Sequence, residues 1–363
     1  MKSPILFTAG VLSLAASSLG APSVLETQSI STTNPFAGHE LFISPVYRPK
    51  ALKAAAELQA RGETALAKKA AKIATTFSSF LWVADFAGVP GISGWLREAE
   101  QIQKLTGKKQ VVQIEVYNLP DRDCGAKASA GELDLAKGGE EKYKNFIQQV
   151  KKELLKFPNV RVVLGLETDA IGNMVTSLDN PKCGNAAPAQ KRSLAYAIAN
   201  LQLPNVGLYI DGAHAGWLGW DSNIGPAVLV YKEILNAAKA LNPKATIRGI
   251  STNVANYNGL GNQPQEGYDE LKYIRKLAPL LAAQGIDVHF IVDQGRSGNQ
   301  NYVREGGDWC NNKQAGFGKR PTTQTPDPLI DAIVWVKPGG EADGTSDTTA
   351  ERFDVACARH VPA

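Results

Sequence analysis

The sequence predicts an α/β fold in which parallel strands curl into a TIM-like β/α barrel. Seven short apolar runs, at 80–85, 111–118, 161–167, 206–212, 245–253, 288–295 and 332–338, alternate with helix-like stretches. Such alternation implies right-handed crossovers and a parallel sheet. No glycine-rich phosphate turn follows the first strand, which favours a barrel over an open nucleotide-binding sheet. Nearly every run ends in polar or ionisable residues, and barrel enzymes keep their chemistry at that end of the strands.

Taken in order, the chain opens on Lys2 and an apolar stretch from Ile5 to Leu19, with small residues around Ser18, Gly20 and Ala21. This reads as a secretory signal over 1–20, followed by a short polar leader over 21–38 and one catalytic domain over 39–363. An Ala- and Lys-rich segment, 51–74, has helical composition. Further helical patterns fall near 93–106, 138–155, 187–201, 222–241 and 267–284. The second strand is nearly continuous in β-branched residues (Val111, Val112, Ile114, Val116), the pattern of a strand covered on both faces. Leu119-Pro120 ends it, because proline has no N–H to give the ladder.

Bulk properties remove several function classes. A net charge of +4, dispersed along the chain, does not suit nucleic acid. After the signal no segment is apolar for long enough to span a membrane. The four cysteines, Cys124, Cys183, Cys310 and Cys357, suit two disulfides in a secreted protein. No Cys/His cluster has zinc spacing, so neither a metal nor a cofactor is expected.

The strand ends form a polar rim. Asp85 follows the first strand, Asp121 and Asp123 the second, and Glu167 and Asp169 the third. Asp211 and His214 follow the fourth, Asn253 and Asn256 the fifth, and Asp293 and Arg296 the sixth. Lys337, Glu341 and Asp343 follow the seventh. With no GxSxG elbow and only four histidines, nucleophilic triads are unsupported. His289 is read as a core imidazole. Paired carboxylates with aromatic platforms point to glycoside hydrolysis, in which one acid protonates the leaving oxygen.

Seven segments then occur in order: YNLPDRDC (117–124), LETDAIGNMVT (166–176), DGAHAGWLGW (211–220), RGISTNVANYN (248–258), DQGRSGNQ (293–300), GGDWCN (306–311) and WVKPGGEADGTSD (335–347). Together they closely resemble glycoside hydrolase family 6, in its fungal cellobiohydrolase II type, over about 34–357. The resemblance implies a distorted, incompletely closed seven-stranded barrel and inverting hydrolysis of β-1,4-glucan. By position, Asp169 matches the general acid, and Asp123 the second aspartate, which keeps that acid protonated. Tyr117 would lie against the distorted sugar, with Ser129 near the attacking water. Asp343 matches the base or water-orienting group, and a water chain to Asp123 is the competing route. Lys337, Glu341, Asp211, His214, Asn253 and Asn256 would bind sugar hydroxyls. Trp82, Trp217, Trp220 and Trp309 would bind successive glucose units. Asp121 is left as a structural partner of Arg122.

The same resemblance pairs Cys124 with Cys183 and Cys310 with Cys357. Each bridge contributes about 4 kcal/mol in the chain-entropy picture. The bridged segments, 172–186 and 338–357, have cellobiohydrolase length, implying a roofed cleft, exo action and release of cellobiose. An endo-acting enzyme with opening loops and a non-catalytic glucan-binding relative are the alternatives. Substrates would be cellulose and cello-oligosaccharides, acted on by a secreted monomer. Four departures stand out: Thr168 where the family has proline, the reversed order Gly212-Ala213, Ala342 in place of a frequent cysteine, and an end at Ala363, before the family's aromatic-rich C-terminal helix. That helix, if absent, would leave apolar surface exposed. No cellulose-binding module is recognised, so weaker action on crystalline than on amorphous cellulose is expected.

Overall fold

Eight parallel strands surround a common interior in the computed structural model, which describes residues 33–261, 263, 266–302 and 309–358. The expected signal sequence, the leader up to 32 and the segment past 358 lie outside the described residues. The strands are β1 (Glu40–Leu41), β2 (Leu81–Val83), β3 (Gln110–Val116), β4 (Arg161–Leu166), β5 (Val206–Asp211), β6 (Gly249–Thr252), β7 (His289–Asp293) and β8 (Ile330–Val334). The helices are α1 (Tyr47–Ala60), α2 (Thr64–Thr76), α3 (Gly91–Thr106), α4 (Gly139–Leu155), α5 (Ala170–Thr176), α6 (Pro181–Asn200), α7 (Ala215–Leu218), α8 (Asp221–Leu241), α9 (Glu270–Ala282) and α10 (Val355–Ala358).

All seven expected strands form, and the added β1 is only two residues long, too short to carry a readable period. The helix expected over 51–74 is two helices. Gly62 takes a left-handed φ of 79° and lets Glu63 N–H return to Leu58 O, which stops α1. The helix expected from 187 begins at Pro181 instead. Asn180 caps it through Lys182 N–H, proline suits its first turn, and Pro188 lies inside. The bridged segment 172–186 is thus mostly the end of α5 and the start of α6.

The sheet runs β1-β3-β4-β5-β6-β7-β8, with β2 also on β3. β4 takes one edge of β3, so β1 and β2 share the other end to end, at Gln110–Val111 and Ile114–Val116 respectively. No ladder joins β8 to that edge among the described residues. Single contacts bridge the gap: Phe80 N–H to Trp335 O, Trp82 Nε1–H to Val336 O and Asn34 Nδ2–H to Asp331 O, each 2.9 Å. The barrel is therefore incompletely closed. The edge of β8 that faces this gap is partly covered by reciprocal backbone bonds between Thr322 and Ile333, which protects it from pairing elsewhere.

Side chains alternate across the sheet. On β3, Val112, Ile114 and Val116 join the large core under the helices, while Val111 joins an inner core with Phe36, Phe80, Val163, Tyr209 and Ile291. Gln113 and Glu115 share the inward parity of Val111 and are buried with it. At the foot of the barrel a register shift between β7 and β8 leaves Asp331 unpaired in the ladder. Its carboxylate takes both Arg248 Nε–H and Nη2–H at 2.7 Å and Tyr209 Oη–H at 2.7 Å. His289, expected in the core, is instead partly exposed, with Nδ1 3.5 Å from Asp331.

At the opposite end the backbone is strained. Eight described non-glycine residues have left-handed φ, and seven of them follow β3, β4, β5 or β6: Asp121, Asp123, Glu167, Asp169, Ala213, Asn253 and Ala255. Such conformations persist only where their surroundings over-determine them. Buried carboxyls supply that constraint. Glu167 accepts Asn118 N–H, Leu119 N–H and Tyr143 Oη–H, and Asp293 accepts Ala255, Gly295 and Lys337 N–H. Asp211 accepts Ala213 N–H, and Glu270 accepts Ala215 N–H.

Two predictions follow from these networks. Replacing Asp331 with Ala leaves the buried Arg248 guanidinium without its carboxylate and should cost about 3–5 kcal/mol in denaturant unfolding. Burial raises Glu115 to about 8, Glu167 and Glu270 to about 7, and Asp123 and Asp293 to about 6. Folded carboxyls then keep protons that the unfolded chain releases, so the stability these five groups contribute is fully present below about pH 4 and falls through about pH 8. Melting measured across that range should show Tm at least about 5 °C higher at pH 5 than at pH 8.

Candidate active site

The turn after β3 carries the first carboxylate of the site. Asp121 and Asp123 both take left-handed φ, and Asp123 Oδ2 accepts Ser129 N–H at 2.7 Å. Burial holds the Asp123 carboxyl up at about 6, against the opposing hydrogen bond from Ser129. Between the aspartates, Arg122 turns inward, donates to Ser129 O, Ala84 O and Tyr117 O, and stacks 4.4 Å from the Tyr117 ring centroid. The expected Asp121–Arg122 partnership does not form. Asp121 accepts Leu135 N–H instead, because the left-handed turn sends the two side chains to different neighbours.

Asp169 arrives from the next strand at the N-cap of α5, with φ 66°. Burial first, and then the charges of Asp169 and Asp123, push the Tyr117 phenol well above its ordinary range. Tyr117 Oη is buried and makes no hydrogen bond among the described residues. Trp82 meets the Tyr117 ring edge to face, with centroids 5.7 Å apart and planes at 87°. Beneath Asp169, the buried Asp211 carboxyl is also pushed well above its usual range, by burial first and by the Asp169 charge second.

The segment after β8 closes the other side. Asp343 lies 2.5 Å from Arg296 Nη1 and 2.9 Å from Lys337 Nζ, and these cations hold its carboxyl below the usual range against burial. Asn311 clasps the Asp343 backbone in both directions. Glu341 pairs with Lys50 Nζ at 2.7 Å, and Tyr47 Oη–H reaches Gly339 O at 2.8 Å, so α1 forms part of the wall.

These segments enclose one cleft of about 650 Å³. Of the expected residues it contains Asp123, Asp169, Asp343, Tyr117, Ser129, Trp82, His214, Trp217, Asn256, Trp309, Lys337 and Glu341. Trp217 is steered by Nε1–H to Thr176 Oγ1 at 2.7 Å, and Trp309 packs on the Cys310–Cys357 bridge. Three expected residues do not line the cleft. Asp211 is buried below it. Asn253 is fully buried, its amide spent on Asn258 O, Asp293 O and Ser297 Oγ. Trp220 is 47% exposed beside the cleft, its Nε1–H turned back to Gly216 O. For the two buried side chains, strand-end position is shared with the lining residues, and only the direction of the turn separates them.

Tyr47, Lys50, Asn173, Ser177 and Arg352 also line the cleft without having been singled out in sequence. Lys50 faces Glu341 across 291 positions, and no local pattern reports such a pairing. Both expected disulfides, Cys124–Cys183 and Cys310–Cys357, are present, tying the β3 turn to α6 and the segment after β8 to the turn bearing Trp309.

Comparison with known proteins agrees with this architecture. The family model for glycosyl hydrolases family 6 matches residues 36–363. Exoglucanase 3 of Agaricus bisporus is 47% identical, over 91% of this chain and 75% of that one. A putative endoglucanase type B of Fusarium oxysporum is 43% identical, over 90% of this chain and 71% of its own length. Among solved structures, the CcCel6A catalytic domain complexed with p-nitrophenyl β-D-cellotrioside superposes with a TM-score of 0.84 at 46% identity, covering 90% of this chain and 91% of that chain. CcCel6C from Coprinopsis cinerea, described as a glycoside hydrolase family 6 enzyme, gives 0.87 at 42% identity, covering 91% and 93%. With its barrel open at one seam and its aspartates gathered at the strand ends, this chain belongs to glycosyl hydrolases family 6.

Proposed function

We propose that the chain is a secreted, inverting β-1,4-glucan hydrolase that acts on cellulose and cello-oligosaccharides and releases cellobiose from a chain end. The observation that carries this reading is the meeting of Asp123, Asp169 and Asp343 in one cleft with Trp82, Trp217 and Trp309. Tryptophan faces suit the C–H faces of pyranose rings, and the carboxyls suit proton transfer around a glycosidic oxygen. The relatives named exoglucanase and cellobiohydrolase support the exo mode, as do the two bridged segments. Secretion is supported by the signal-like first 20 residues and by the disulfides.

In this reading Asp169 protonates the leaving oxygen while water attacks the anomeric carbon from the opposite face. The C–O bond breaks, the attacking water forms the new C–O bond, and its surplus proton passes to a carboxylate. Asp343, clamped by Arg296 and Lys337, is a persistent negative charge but a weak base. Asp123, raised to about 6, is closer to the optimum for accepting a proton near that pH. We therefore assign Asp343 to orienting water and steadying positive charge, and Asp123 to receiving the proton through water near Ser129. Lys337 and Glu341 are assigned to sugar hydroxyls.

Proton NMR of the first product from cellotetraose should show the α-anomer, and a β-anomer would remove inversion. Asp169→Ala should lower kcat on cellotetraose by at least about 100-fold, the scale of general-acid catalysis, and an unchanged rate would remove its assignment. The relative named an endoglucanase motivates a second reading, endo attack. On carboxymethylcellulose, reducing sugar should appear with little early loss of viscosity; a rapid viscosity drop would establish the endo mode instead.

A further inference from the structure

Among the buried groups that the mechanism leaves unused, Glu115 stands apart. It lies on β3 with the inward parity of the barrel core, is fully buried, and belongs to none of the recognised segments. Its Oε1 accepts the Thr168 hydroxyl at 2.7 Å, and its Oε2 is buried with no hydrogen-bond partner among the described residues. On the neighbouring strand, Gly165 sits directly opposite in register. A Cβ there would come within 1.9 Å of Glu115 Oε2, so the carboxyl occupies room that only glycine leaves. The acids Glu167, Asp211 and Asp293 lie around it, and burial raises it to about 8. A space-filling role would be served at lower cost by an apolar side chain.

Thr168 is the residue between two left-handed positions, Glu167 at φ 61° and Asp169 at φ 66°. Proline, found there in the family pattern, would restrict the turn by its ring. Threonine has no such restraint, and its hydroxyl instead reaches across to the adjacent strand. We propose that Glu115 is a positioning residue for Asp169: seated in the space beside Gly165, its carboxyl anchors Thr168 and thereby the strained turn that aims the acid into the cleft. This rests on the reading of Asp169 as the general acid. Glu115 touches no substrate and acts only through Thr168.

The test compares kcat and KM on cellotetraose, which needs a protonated leaving group, with rates on 2,4-dinitrophenyl β-cellobioside, which does not. Thr168→Val and Glu115→Val should each lower kcat on cellotetraose about 10-fold with KM within about twofold, the pattern of a misaimed group. The dinitrophenyl substrate should be hydrolysed within about threefold of the parent rate, because its leaving group departs without a proton. The double variant should be no slower than the slower single one, since both changes cut one tether. Glu115→Gln should recover most of the rate lost in Glu115→Val, as its amide oxygen can still accept the hydroxyl. An unchanged kcat in Thr168→Val, losses that multiply in the double variant, or parallel losses on both substrates would each overturn the proposal. If Glu115→Val does not fold, Thr168→Val and Glu115→Gln decide the matter. Asp169→Ala run alongside separates the two readings: an undiminished cellotetraose rate removes the acid itself, whereas a lost rate beside an intact Thr168→Val removes only the positioning role.

Discussion

The site depends on left-handed backbone held in place by buried carboxyls. Asp123 and Asp169 both sit in a conformation that side chains with a Cβ avoid, at a cost of roughly 1–3 kcal/mol each. Neither turn could persist alone. Glu167 gathers two N–H groups of the β3 turn and so binds it to the β4 turn, and Asp293 gathers three N–H groups from separate loops. A carboxyl suits this task because its two oxygens accept several bonds at once. The consequence is a rim made of acids in two layers. The lower layer holds backbone, and the upper layer faces the cleft.

The open seam is the second organising feature. Because β1 and β2 share one edge of β3 and β8 makes no ladder with them, the wall is interrupted there. Trp82, the middle residue of β2, reaches across to Val336 O, and the Lys337 ammonium lies 5.9 Å from its ring centroid. The interruption thus coincides with the place where an aromatic platform and the segment bearing Lys337, Glu341 and Asp343 come together. Around the mouth, one disulfide ties the segment after β8 to the turn bearing Trp309, and the other ties the β3 turn to α6.

Much of this was legible in the chain. Alternating apolar runs gave the strands because burial on both faces selects β-branched residues at local spacing. Helix limits were legible where composition changed and misjudged where a single residue decided them, as Gly62 did in dividing α1 from α2 and Asn180 in starting α6 early. The rim residues were legible as a group but not as individuals. Asp211, Asn253 and Asp343 all lie at or beyond strand ends, yet one lies under the cleft, one is spent on backbone and one faces the cavity.

By itself, the sequence determined the fold class, the order of the motifs, the acids at the strand ends and the family they resemble, because each is written in local patterns or contiguous segments. Only the tertiary structure decided which acids bear on the cleft, that Asp121 leaves Arg122 for Leu135, and that α1 contributes Lys50 to the wall. It alone also brought Glu115, Gly165 and Thr168 together. The reason is physical. Turn direction, close approach between strands and the desolvation of a carboxyl arise from neighbours distant in the chain, and no local pattern of residues encodes them.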